Sequence, residues 1–243
     1  RVMAEHRVET VLHFAAHTIV PESVADPRKY YRNNTAPSRV LLEPPVPAGV
    51  RHIILSPTPA VYGIPSDEPV AEAYPKARLM AHPEMIRLAK EGAGAEWVAL
   101  MERSTNGFTR GTRAVVPDHA MNDGDTLKVD DITFRFYAPR DAHSHTDIMI
   151  EVVEDSVLFA GDNVLNQRIA RMDDATFAGN IAACDTAAAV KARVYVPGHG
   201  PVGDVTVATQ FRHYLSTLFN TVKSLHEQGR LDFEMKDAVA AQL

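Results

Sequence analysis

The sequence predicts an α/β sandwich joined, at its N-terminal side, to a partial βαβ unit. Three observations lead there. Short apolar runs bounded by turn residues crowd the segment 113–160, strand–helix alternation takes over after residue 175, and the first 56 residues carry two apolar runs separated by a helical stretch. The 243 residues, 45% hydrophobic and 23% charged, suffice for a packed core.

The elements follow from local chemistry. Thr10 to Ala16 (TVLHFAA) is an apolar run ending in small residues and reads as a buried parallel strand. Asp26 and Pro27 can cap and open a helix, which the prolines at 37, 44, 45 and 47 shorten or break. Arg51 to Ser56 (RHIILS) is a second buried strand, and Ser66 to Glu72 a polar loop. A strand over Ala77 to Ala81 leads into helices over Pro83 to Glu91 and Ala95 to Arg103. Strands are then expected at Arg113–Val116, Thr126–Val129, Ile132–Tyr137, Asp147–Val153 and Ser156–Ala160, with turns at Asn122-Asp123-Gly124 and Asp130-Asp131. A helix over Ala175 to Ala192, a strand at Val194 to Val196 and helices over Val205 to Gln228 and Asp232 to Ala241 complete the chain.

Composition narrows the function. The formal charge of −6 argues against a mainly electrostatic nucleic-acid binder. No apolar run approaches the length of a bilayer span, so a soluble protein of the cytoplasm or periplasm is expected, with no membrane partner. Cys184 is the only cysteine, which excludes an internal disulfide framework and a Cys-rich zinc module. The start at Arg1, with no signal peptide after it, suggests a chain that begins inside a longer reading frame or was processed. Ten of the 16 prolines fall within residues 1–72, which suggests two segments of different origin joined near Glu72 to Tyr74.

Three short signals carry metal chemistry: Ala142-His143-Ser144-His145-Thr146-Asp147, Leu158-Phe159-Ala160-Gly161-Asp162-Asn163 and Val196-Pro197-Gly198-His199-Gly200. Each sets a metal-binding side chain beside an apolar strand, where sites are commonly built. Imidazole and carboxylate together suit zinc, and a carboxylate has two oxygens with which to bridge two ions.

In this order the signals resemble the metallo-β-lactamase superfamily over residues 73–243. The resemblance implies a four-layer αββα sandwich, N-terminally incomplete here, with a metal site on one edge. It places His143 on one metal, Asp162 bridging both and His199 on the other. The family's HxHxDH motif, which supplies most ligands of the dinuclear site, is absent, so the ligand set is incomplete. His82, His119, His145 and Asp147 are available substitutes, although structural or solvent-facing roles suit each of them better.

Residues 1–72 resemble the middle of UDP-glucose 4-epimerase, an extended short-chain dehydrogenase/reductase with a Rossmann-like core. The resembling stretches are VETVLHFAAHTIVPESVADPRKYYRNNT and AGVRHIILSPTPAVYGIPSDEPVAE. The likeness sets His13-Phe14-Ala15-Ala16 where that family lines its nicotinamide cofactor, and Thr58 where it has a catalytic Ser/Thr, with Tyr62-Gly63 following. The GxxGxxG phosphate loop and the YxxxK pair are both missing, so no NAD is expected.

The expectation is therefore a zinc-dependent hydrolase with one or two ions, acting on a small ester, thioester, lactam or phosphoester. The alternatives are an inactive composite chain with a relic metal site, and a fragment of an NAD-dependent nucleotide-sugar epimerase.

Overall fold

The computed structural model describes residues 78–243, apart from 105, 108, 109, 170, 171 and 173, together with the backbone of residues 10–13 and 52–55. The helix expected from residue 26, the loop at 66–72, Thr58 and Tyr62 lie outside the described residues. Among those described, no helix is long and apolar enough to cross a membrane.

The chain divides into two units, residues 1–77 with 92–115, and residues 78–91 with 116–243. In the first, β1 (Thr10–His13) and β2 (His52–Leu55) pair in parallel, Thr10 opposite His52. Parallel strands cannot be joined by a tight hairpin and need a longer connection.

The second unit holds the predicted metal ligands. Its first pieces are β3 (Met80–Ala81) and α1 (Pro83–Lys90). Helix α2 (Ala93–Ser104) belongs to the first unit and buries none of its residues. The strand expected at 113–116 is absent. The chain instead forms β4 (His119–Ala120), which pairs in parallel with β3. Val116 has no cross-strand partner there, because the pairing partner of β3 begins three residues later at His119.

The main sheet has five strands in the order β5 (Thr126–Val129), β6 (Ile132–Tyr137), β7 (Met149–Val152), β8 (Val157–Leu165) and β9 (Val194–His199). The first four run antiparallel; β9 joins β8 in parallel across a helical crossover. Asp130-Asp131 closes the β5–β6 hairpin, with Asp130 at φ 51°. A short polar residue tolerates that conformation at a two-residue turn.

Register puts Phe134 opposite Val152, Phe136 opposite Ile150, Ile150 opposite Phe159 and Phe159 opposite Val196, so one face of the sheet is a continuous apolar surface. On the other face, Leu158 lies between Glu151 and Tyr195. Glu151 is nearly buried and keeps its charge satisfied by accepting from Tyr137 Oη at 2.7 Å and Arg135 Nη1 at 3.2 Å.

Helices α3 (Phe177–Val190) and α4 (Thr206–Glu227) pack on each other and on β8. Small residues Ala183, Cys184 and Ala187 are fully buried and let α3 approach closely. Tyr195 Oη donates to Ala187 O at 3.1 Å, satisfying a hydroxyl inside that core. Helix α4 contributes Val207, Phe211 and Leu215 at helical spacing. Helix α5 (Asp232–Ala240) closes the chain with Met235 buried.

Candidate metal centre

His143 stands on a loop between β6 and β7 that is anchored to the start of α3. Asp141 takes φ 51°, and its carbonyl accepts from Thr176 Oγ1 at 2.6 Å. The Thr176 N–H donates to Ala142 O at 3.1 Å, and Ala142 is fully buried. The same Thr176 hydroxyl caps α3 by accepting from the Gly179 N–H at 2.9 Å. A side chain at Gly179 would overlap the Asp141 carbonyl, so the loop can lie on the helix only over a glycine. Asp147 then holds the ring: His143 Nδ1 is 2.9 Å from Asp147 Oδ2. This contact turns His143 Nε2 toward Asp162 Oδ2, 3.8 Å away.

Asp162 sits inside β8, a strand expected from the sequence to end at Ala160. The pairing with β9 shifts register on either side of Gly161, whose φ is 55°. A bulge of this kind re-aims the next side chain, a common device beside functional sites. His199 is the last residue of β9, three residues beyond the expected strand end. Its Nε2 is 3.5 Å from Asp162 Oδ1. A Cβ at Gly198 would collide with that same Oδ1, so glycine at 198 leaves room for the carboxylate. Gly200 (φ 98°) turns the chain away against the Asn166 carbonyl, and Asn166 N donates to His199 O at 2.9 Å.

Each oxygen of Asp162 thus faces a different imidazole Nε2. Separations of 3.5 and 3.8 Å exceed an N–H···O hydrogen bond. They approach the ~3.4 Å between two donors on one tetrahedral zinc with bonds of roughly 2.0–2.2 Å. Each pair sets one nitrogen against one oxygen. Among the described residues no group of three His, Cys, Asp or Glu side chains could hold a metal ion. The described donors therefore fall short of a complete coordination shell.

The family model of the metallo-beta-lactamase superfamily matches residues 48–199. The chain belongs to this superfamily. The match spans all three candidate ligands. Among solved structures, a metallo-beta-lactamase family protein from Thermus thermophilus superposes with a TM-score of 0.50 at 22% identity, over 73% of this chain and 64% of that one. This likeness speaks for the fold alone. The chain is also 51% identical over 75 residues to a UDP-glucose 4-epimerase of Azospirillum brasilense, and 35% identical over 107 residues to one of Lacticaseibacillus casei. Those alignments cover 31% and 41% of this chain and only 22% and 32% of the epimerases.

The other candidate histidines, His82, His119 and His145, make contacts of their own. His145 Nδ1 contacts Asp141 Oδ1 at 2.6 Å and is exposed, and His119 Nδ1 contacts Asp118 Oδ1 at 2.7 Å, also exposed. His82 caps α1, its Nδ1 accepting from the Glu84 N–H at 3.1 Å. Burial pushes the His82 pKa down, which keeps that nitrogen free to accept. The hydrogen bond that His143 donates to Asp147 raises the His143 pKa. Burial works against the charge on Asp147, but hydrogen bonds from His143 and Ser144 outweigh it and hold its carboxyl below the ordinary value. Sequence reasoning missed the roles of Thr176, Gly179 and Gly198, and favoured a structural or solvent-facing role for Asp147 without naming its partner His143. Only the four-residue spacing from His143 to Asp147 signalled any of them.

Proposed function

We propose that this chain is a metal-dependent hydrolase acting on a small ester, thioester, lactam or phosphoester. His143, Asp162 and His199 would hold one or two zinc ions, an incomplete set of ligands. A bound zinc ion would lower the pKa of a water and polarise the bond under attack. The protein's own part is positional. Asp147 fixes the His143 tautomer with the proton on Nδ1, leaving Nε2 as the free donor atom. The Gly161 bulge and the space at Gly198 hold the Asp162 carboxylate between the two imidazoles. The observation that carries this reading is the placement of the two Asp162 oxygens against two different Nε2 atoms. The partner is a small molecule, with neither nucleic acid nor membrane, in keeping with the net charge of −6.

The test is metal analysis of protein purified without chelators. Stoichiometric zinc, iron or manganese that disappears in His199→Ala is the expected result; a trace only would end the proposal. Turnover of generic ester or lactam substrates should vanish in His143→Ala.

The lack of a three-donor group among the described residues favours a second reading, a relic site in an inactive composite chain. It predicts neither metal nor turnover. An epimerase role predicts NAD retained on purification, and we expect none.

A further inference from the structure

Asn163 follows Asp162 in β8 and is fully buried. Its Oδ1 accepts the His143 backbone N–H at 3.4 Å. Its own carbonyl accepts from Asn180 Nδ2 at 3.0 Å and from Cys184 Sγ at 3.8 Å, both on α3. Its Nδ2 is buried and has no hydrogen-bond partner among the described residues. A buried amide with an unspent donor is a cost that leucine, with the same branching, would avoid. The polar group is therefore kept for its oxygen. Turning the amide over would set Nδ2 against the His143 N–H, donor against donor, so the observed orientation is the one its accepting role requires.

We propose that Asn163 is a positioning residue that fixes the His143 backbone against the strand carrying Asp162. His143 is then held twice: at its backbone by Asn163 and at its ring by Asp147. One strand segment places both members of the His143–Asp162 pair, one through the Asp162 carboxylate and the other through the adjacent amide. The His143 loop is bonded to α3 separately, through Thr176. Asn163 is thus the tie from that loop to β8. The metal-binding part of this inference rests on the function proposed above; the positional part does not.

The experiment compares the full chain and Asn163→Ala, first metal-free by backbone amide exchange and then by cobalt(II) titration. Expected is a His143 amide protected in the parent chain and exchanging at least about tenfold faster in the variant, with Leu158 and Tyr195 amides unchanged. Cobalt affinity should fall roughly 10–100-fold, as for loss of other groups that orient a ligand. In a His143→Ala background the same substitution should have no further effect on cobalt affinity. Unchanged exchange at His143, or equal weakening in both backgrounds, would overturn the proposal. A parent chain that takes up no cobalt would sink the metal reading alone, and the exchange comparison would still decide the role of Asn163. If Asn163→Ala does not fold, Asn163→Leu keeps the branched shape without the amide and serves the same comparison.

Discussion

His143 and Asp147 form the contact through which the candidate site responds to pH. The folded His143 pKa is raised, so its contribution to stability is present below the ordinary histidine value and fades as pH rises through the folded one. The folded Asp147 pKa is lowered, so its contribution is present above the ordinary carboxylate value and fades as pH falls through the folded one. Together they stabilise the protein most in the mildly acidic window between the two. Asp147→Asn, melted in the presence of a chelator, should therefore cost more stability at about pH 5.5 than at about pH 8. An equal cost at both would remove the ion pair from the account. The candidate ligand types are visible in the chain because chemistry is written in the side chain itself. That Nδ1 of His143 meets Asp147 while His145 turns to Asp141 is not, since the two histidines differ only in where the loop is fastened.

The strand pair β8–β9 and the start of α3 hold the site geometry. Gly198→Ala should lower stability by about 1–3 kcal/mol, the range for forcing extra volume into a packed place. It should also weaken metal uptake, because the new methyl would occupy the place of Asp162 Oδ1. Chemical denaturation and cobalt titration on one preparation would check both. Thr176→Ala removes a cap and a tie to the His143 loop together, and about 1 kcal/mol is expected for the cap alone. Most of these elements are legible locally. The strands β5 and β6 fall on their predicted residues, because alternation and a two-Asp turn bound them tightly. Strand β8 runs on to Leu165, past the end expected at Ala160, since glycine and aspartate at 161 and 162 argue for a loop. The partner strand β9 overrides that local preference by pairing Gly161 with Pro197 and Leu165 with His199.

The second unit, with its core between the sheet and helices α3 and α4, should melt as the scaffold of the site. Leu215, fully buried on α4, is a clean probe: Leu215→Ala should cost about 2–5 kcal/mol by differential scanning calorimetry or denaturant titration. By itself the sequence determined the superfamily, the α/β class and the types of residue available for chemistry, because these are properties of local patterns and their order along the chain. The tertiary structure alone decided which groups meet. His143 and His199 are 56 residues apart in the chain yet face two oxygens of one carboxylate. Asn163 reaches back 20 residues to hold the His143 backbone. Such meetings depend on strand register, a bulge and the space left by a missing Cβ. These arise only when distant segments pack, so no local pattern encodes them.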